Sequence, residues 1–304
     1  MTTESMSTEP APGEPVPGRP SSGEPGSGRS AVRAASSGAD GALSPVLVLL
    51  RRGLAAGGLG GLASGLFSLL LAEPLMDHAI RLEERRESHE HAAAHGGHVH
   101  AGGEELFSRS TQHLGLVVAA VVTGLALGVF YAVTYALVHR ADGPLTRRPW
   151  ERALVLAGAG FLALALLPAV RYPANPPGVG QAGTVAERQT LWVSALVIGV
   201  LGMLLAWQLY VRLRDAGHGP PARQLAAAAA VLGTLGVLFL LPGNPDPVPV
   251  PAPLLWDFRV LSLASNLLLW ATLGCVFGGL ALRARRQHAR GPRDGADSPA
   301  RTAS

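Results

Sequence analysis

Six long apolar segments dominate this sequence, and none of them contains an Asp, Glu, His or Arg residue. A helix needs about 20 apolar residues to cross about 30 Å of hydrocarbon, because each residue adds about 1.5 Å. Placing a charged group in the middle of a bilayer costs free energy, so the absence of such groups is typical of segments that lie in a membrane. The segments are Gly53–Ala72, Leu114–Val138, Ala153–Val170, Leu191–Val211, Leu225–Leu241 and Val260–Leu282. We therefore predict an all-α, polytopic transmembrane helical bundle. Either the third or the fifth segment is short enough to be re-entrant or tucked inside it, which would leave five spans.

Composition supports this prediction and excludes several functions. Only 15% of the 304 residues are charged, against about a quarter in soluble domains. The 25 basic residues are all arginine, so neither a P-loop lysine nor a Schiff-base lysine exists in this chain. Basic clusters with interleaved aromatic residues are also missing, which argues against a nucleic-acid partner. No nucleophile–base pair or H-E-x-x-H motif is present, and we do not expect an enzyme or a permanently bound cofactor.

The arginines predict the orientation, because cytoplasmic loops are enriched in them. With the N-terminus inside, the cytoplasmic parts hold 18 arginines and the outer loops hold 7. We therefore expect a multi-pass protein of the bacterial plasma membrane with both termini in the cytoplasm. Residues 1–45 are rich in Pro, Gly, Ser and Glu and predict a disordered N-tail. The transmembrane domain then covers residues 46–285, and residues 286–304 form a second disordered tail.

The outer loop 73–113 carries a histidine-rich segment that predicts a metal site. Five of the ten histidines fall within twelve residues, and eight acidic residues share the loop. They are His89, His91, His95, His98 and His100, bracketed by His78 and His113. Neutral imidazole suits cobalt, nickel, copper and zinc, and carboxylates can complete such a site. The alternative is a solvated low-complexity loop, since a His-rich tract is a compositional signal and not a defined site.

Glu73 and Asp77 are four residues apart where the first segment ends, with His78 beside them. If the helix continues past Pro74, the two carboxylates share a face and could pass an ion from the loop to the bundle. The alternative interpretation, to which we give equal weight, is a surface carboxylate pair at a helix end. We include all three residues among the candidate metal ligands.

Small and polar residues recur at helical spacing within the segments. Gly53, Gly57, Gly61 and Gly65 form three overlapping G-x-x-x-G units, which predict close helix packing and a central position for the first helix. The stripe could serve packing inside the bundle or docking of a separate subunit. In the last segment, Arg259, Ser262 and Asn266 follow one face, suited to interhelical hydrogen bonding or to ion contact.

Several motifs resemble the cobalt transporter subunit family CbtA over roughly residues 46–285. The most specific is the string Tyr172-Pro173-Ala174-Asn175-Pro176-Pro177-Gly178-Val179-Gly180. The others are Glu73-Pro74-Leu75-Met76-Asp77 leading into Glu83-Glu84, Phe107-Ser108-Arg109 with Gln112, and Trp256-Asp257-Phe258-Arg259 with Ser262-Leu263 and Leu269-Trp270. The chain departs from the family in having six apolar segments where five spans are described, and Asn266 where a glutamine is expected.

The resemblance implies cobalt uptake linked to cobalamin biosynthesis, together with a small single-span membrane partner resembling CbtB. Combined with the loop, it predicts that the protein transports Co²⁺, with Ni²⁺ or Zn²⁺ as other candidate ions, and that the histidines capture the ion outside. The alternative function is a membrane metal-binding, sensing or buffering protein for Ni²⁺, Co²⁺ or Zn²⁺ that serves a separate transporter. Membrane lipid is the expected surrounding, and a homo-oligomer is compatible with the sequence.

Overall fold

The computed structural model describes residues 27–72, 74–75, 80–81, 85, 109–139, 148–176, 179–248 and 250–290. Within these residues the chain is helical and contains no strand. The chain divides into two units, Met1–Pro45 and Val46–Ser304. The predicted N-tail stays a prediction, because residues 1–26 lie outside the described part and residues 27–45 are described by backbone alone. Residues 286–290 of the predicted C-tail belong to the last helix, which ends at Arg290, and residues 291–304 lie outside the described part.

Six helices in the described part of the chain are long and apolar enough to cross a membrane, as the sequence predicts. They are α1 (Ser27–Phe67, with its span over Val46–Ala72), α2 (Arg109–Val138), α3 (Pro149–Arg171), α4 (Val185–Asp215), α5 (Pro220–Leu238) and α6 (Ala252–Arg290). The third segment is longer than its apolar stretch, because the helix begins at Pro149, and it covers 23 residues. The fifth covers 19 residues, and only 11% of the residues in its apolar stretch are buried, the smallest fraction of the six. It therefore lies at the periphery and is not tucked inside the bundle.

Two of these helices contain a π-helical turn next to a proline. In α1 the turn is Ser68–Ala72, and Pro74 follows it. In α3 it is Leu162–Leu166, directly before the segment Leu167–Arg171 that contains the buried Pro168. Proline has no N–H to donate to the helical ladder, so the preceding turn widens to rearrange its hydrogen bonds. Both turns lie toward the same end of the bundle.

Helix α1 packs against α2 through the glycine stripe. A Cβ added to Gly57 would lie 2.1 Å from the Gly124 carbonyl oxygen, and one added to Gly53 would lie 2.3 Å from that of Gly128. Such a distance leaves no room for any side chain, so the two backbones touch directly. The prediction that the stripe packs within the bundle is confirmed.

On another face, α1 meets α6, where a Cβ on Gly60 would lie 3.0 Å from the Leu269 carbonyl oxygen. Helix α6 also packs along α3, because Gly274 and Gly278 face Ala157 and Trp150. Helices α4 and α5 form a hairpin beside the second half of α3. The neighbours therefore run in the order α2, α1, α6, α3, α4, α5, so α1 is packed on two faces, between α2 and α6, while α6 and α3 take the middle of the order.

Two buried clusters hold this arrangement. The larger joins α1, α2, α3 and α6 around Phe277 and Leu273, which are fully buried. Tyr131 of α2 packs edge-on against Phe277 and donates its hydroxyl to the Ala153 carbonyl oxygen of α3. The smaller cluster joins α3, α4 and α5 around Leu238. The remaining large apolar side chains, such as Leu201 and Leu240, face outward, where a bilayer would cover them.

Candidate functional site

The polar side chains of the spans concentrate at one end of the bundle, which we call the loop end. It contains the π turn of α1, the start of α2, the loops 172–184 and 239–251, and the start of α6. Tyr172 donates its hydroxyl to the Pro242 carbonyl oxygen over 2.6 Å, and Arg171 donates to the Leu241 carbonyl oxygen. These bonds tie the loop after α3 to the loop after α5.

Asp246 anchors the proline-rich loop 242–251 to the start of α4. Its side chain is only 2% exposed and lies 3.0 Å from Arg188 Nε. Thr184 donates its hydroxyl to the carboxylate, with its Oγ1 2.7 and 2.8 Å from the two oxygens. The Asn244 side-chain oxygen accepts the Asp246 backbone N–H at 3.3 Å. Sequence reasoning missed this anchor, although an aspartate isolated among prolines in an otherwise apolar loop was a usable signal.

Arg259 joins α6 to the loop that follows α3. Its Nη2 donates to the Asn175 side-chain oxygen at 2.8 Å, and its Nε lies 3.4 Å from the Ala174 carbonyl oxygen. The loop that contains Ala174 and Asn175 thus serves as a structural cap over this end. The Asn175 oxygen accepts from the arginine, and the amide NH₂ group has no partner in this bond and can donate to other groups.

A cavity of about 430 Å³ lies beneath this cap, and we call it the capped cavity. Its polar wall consists of Asn175, Arg188, Asn244, Arg259, Ser262 and Asn266. Its other wall is apolar and includes Leu164, Ala165 and Pro168 from the widened turn of α3. No acidic residue is found among the described residues that line it.

Three serines form a hydroxyl cluster between α1 and α6. Ser265 Oγ lies 2.7 Å from Ser64 Oγ and 2.9 Å from Ser68 Oγ. Ser64 and Ser265 are each 8% exposed, so the cluster is buried in the bundle. Sequence reasoning singled out the stripe Arg259, Ser262 and Asn266 but not Ser265, which makes the interhelical bond.

A second cavity, of about 270 Å³, lies beside the serine cluster, and we call it the serine cavity. Ser68 and Ser265 line it together with Phe258, Ser262 and Asn266 of α6, and Ala72 and Leu116 complete the lining. Asn266 donates to the Ser262 carbonyl oxygen at 3.0 Å. Ser262 and Asn266 border both cavities, so the predicted polar stripe of α6 separates two polar spaces.

The serine cavity lies between the two ends of loop 73–113. Ala72 is the residue before that loop, and Leu116 lies three residues after it. The described lining has hydroxyl and amide groups and no charged side chain.

The predicted metal ligands lie mostly outside the described residues. This applies to Glu73, Asp77, His78, His89, His91, His95, His98 and His100. His113 is described: it lies in the second turn of α2, half-buried. Over the described ranges, no group of three or more His, Cys, Asp or Glu side chains could hold a metal ion. The histidine site stays a prediction.

Comparison with known proteins identifies one family. Residues 47–282 match the model of a family described as probable cobalt transporter subunit (CbtA). The match spans all six membrane helices and both cavities. No curated protein and no solved structure matches the chain.

Proposed function

Because this chain belongs to the CbtA family of probable cobalt transporter subunits, we propose that it takes up Co²⁺ across the bacterial plasma membrane after loop 73–113 captures the ion. A subunit implies partners in a transporter complex. We propose that one partner is a small single-span membrane protein of the CbtB kind. The transmembrane helices of this chain would then provide the passage for the ion.

The observation that carries this proposal is the position of the serine cavity between the two ends of the histidine-rich loop. An ion released by the loop would meet Ser68, Ser265 and Asn266 first. Glu73 follows Ala72 directly in sequence, and we propose that Glu73, Asp77 and His78 pass the ion from the loop to this cavity. His113, at the other end of the loop, would complete the capture set.

The chemistry of the two regions supports a division between capture and passage. Imidazole and carboxylate groups are strong ligands for Co²⁺. The hydroxyl and amide oxygens of the serine cavity are weak ones and suit a partly hydrated ion. Conduction requires binding strong enough for entry and weak enough for release. A passage without strong ligands meets the second requirement.

Energy for uptake has to come from outside this chain, which lacks a P-loop lysine. The membrane potential favours inward movement of a divalent cation by about 4.6 kcal/mol at 100 mV. An ion gradient or a partner subunit could add to it.

Deleting residues 89–100 tests capture by the loop. We expect the Co²⁺ concentration for half-maximal uptake to rise while uptake at saturating Co²⁺ persists, because the passage is intact.

The double change Glu73→Ala and Asp77→Ala should lower uptake at all concentrations if the carboxylates act as a relay. Both variants can be compared by ⁵⁷Co accumulation at matched expression. Unchanged half-saturation in the deletion would refute capture, and unchanged uptake in the double variant would refute the relay.

Ser68→Leu tests the passage, because it places apolar bulk in the serine cavity and removes the 2.9 Å bond to Ser265. We expect ⁵⁷Co uptake to fall to the level of cells without the protein, at every Co²⁺ concentration. Thr123→Leu is the matched control, since Thr123 lies at an exposed position of α2. Normal uptake by well-expressed Ser68→Leu protein would exclude this route.

A metal-holding protein that serves a separate transporter is the second candidate. The lack of a multi-ligand metal site over the described spans favours it, because such a protein needs only the loop. Purified protein reconstituted alone in liposomes distinguishes the two. Accumulation of Co²⁺ in the lumen supports transport by this chain, and binding without accumulation supports the holding function or a need for the partner.

A further inference from the structure

The capped cavity differs in charge from the serine cavity, although they share Ser262 and Asn266. Two guanidinium groups, of Arg188 and Arg259, reach its wall. Arg188 is neutralised by the buried carboxylate of Asp246 at 3.0 Å. Arg259 makes its contacts with the neutral groups of Ala174 and Asn175, and no ion pair of Arg259 occurs among the described residues. The described wall therefore carries one uncompensated positive charge.

Hydrogen-bond acceptors in this wall are largely engaged by internal bonds. The Asn175 oxygen accepts from Arg259, and the Asn244 oxygen accepts from the Asp246 N–H. The Asp246 carboxylate, which does not line the cavity, accepts from Thr184 and forms an ion pair with Arg188. Asn175 and Asn244 then present their NH₂ groups and Arg259 its remaining N–H groups, so donors outnumber the acceptor oxygen of Asn266, whose own NH₂ is used by the Ser262 carbonyl oxygen. A space with surplus donors and a net positive charge favours an anion and disfavours Co²⁺.

The rest of the cavity is apolar, which selects among anions. Leu164, Ala165 and Pro168 face the polar wall, and Trp192 borders the cavity with about half of its surface exposed. The volume of about 430 Å³ falls in the range of small-molecule sites. Arginine pairs readily with phosphate oxygens, and tryptophan is typical of the level of lipid headgroups.

From this lining we propose that the capped cavity binds a phosphate group, supplied by the headgroup of an anionic phospholipid. The phosphate lies against Arg259 and the amide groups of Asn175 and Asn244, and the glycerol and first methylenes lie against the apolar wall. This site is independent of the cobalt passage proposed above, and loss of one does not entail loss of the other.

The proposal is tested on the full-length protein, purified in detergent and depleted of lipid. Native mass spectrometry then measures the binding of added phosphatidylglycerol, and calorimetry measures the binding of inorganic phosphate. Arg259→Gln should weaken lipid binding by about tenfold or more, the effect of losing one charge-assisted hydrogen bond. Arg212→Gln, at an exposed arginine near the other end of α4, is the control and should leave it unchanged.

A second variant, Asn175→Asp, distinguishes loss of lipid binding from misfolding. It places a carboxylate 2.8 Å from Arg259 Nη2 and keeps the cap closed. It should preserve or raise thermal stability and still weaken lipid binding to a similar extent. Inorganic phosphate could instead bind to saturation, with both variants weakening phosphate binding and leaving phosphatidylglycerol binding unchanged. That result would confirm the phosphate site and show that its ligand comes from solution. Equal binding of both ligands by wild type and variants, or binding of neither by wild type, would overturn the proposal.

Discussion

Asp246 and Asp215 each pair with an arginine, at 3.0 and 3.1 Å, in very different surroundings. Asp246 is 2% exposed and also accepts from Thr184, whereas Asp215 is 62% exposed and pairs with its chain neighbour Arg214. An exposed pair contributes little, because water screens it and ordering two side chains costs entropy. A buried pair is expensive to break, because the partner left behind is an uncompensated charge. The contact distance alone therefore says little about either pair.

We expect Asp246→Asn to destabilise the protein by about 3 kcal/mol, the lower end of the range for broken buried pairs, because Arg188 keeps some solvent contact. Asp215→Asn, the matched control, should change stability by less than about 1 kcal/mol. Thermal unfolding in detergent measures both changes. Similar behaviour of the two variants would mean that Asp246 does not anchor the proline-rich loop.

At the scale of helices, the α1–α2 contact depends on missing side chains. Gly57 and Gly58 are adjacent in sequence but differ in surroundings. A Cβ on Gly57 would meet the rigid backbone oxygen of Gly124 at 2.1 Å, and a Cβ on Gly58 would meet the flexible Leu125 side chain at 3.3 Å. A side chain can move by a few tenths of an ångström, and a packed backbone cannot do so without separating the helices.

Gly57→Ala should therefore destabilise the bundle by at least about 1–3 kcal/mol, the usual range for overpacking. Gly58→Ala should be close to neutral, although both changes add the same methyl group to the same helix. The yield of monodisperse protein and its unfolding temperature report the difference. If both alanines are tolerated equally, the direct contact of the α1 and α2 backbones is wrong.

At the scale of the whole molecule, charge and topology are linked. With both termini inside, the cytoplasmic parts carry 18 arginines against 10 acidic residues, and the outer parts carry 7 against 11. In this predicted orientation, the formal net charge of +4 would be the sum of a basic inner surface and an acidic, histidine-rich outer one. An acidic outer surface attracts divalent cations to the loop that we expect to capture them.

Cysteine labelling checks this orientation, because Cys275 is the only natural cysteine and can be replaced by serine. In that background, Asn244→Cys lies in the loop after α5 and His218→Cys lies in the turn between α4 and α5, both at exposed positions. A membrane-impermeant maleimide should label residue 244 but not residue 218 in intact cells. Permeabilised cells provide the control in which both react, and the reverse pattern in intact cells would invert the topology.

The positions of the membrane helices can be predicted from the sequence, because crossing a bilayer requires each segment to be apolar, and apolarity is a local property. It also identified the glycine stripe, since close packing in a membrane requires small residues at a fixed spacing. The composition of loop 73–113 follows from the sequence too, and with it the predicted metal chemistry.

The side chains that meet at the loop end could not be predicted from the sequence and follow from the packing of the helices. Ser68 and Ser265 are 197 residues apart, and Arg259 and Asn175 are 84 apart. The neighbour order α2, α1, α6, α3, α4, α5 brings them together, and the apolar pattern of the spans does not encode that order. Three features follow from this order: the hydrogen bond to the Asn175 oxygen, the burial of Asp246, and the two cavities, one lined by arginines and one without charged side chains. The physical reason is that hydrogen bonds and cavities depend on contacts between distant segments, whereas a span depends only on its own residues.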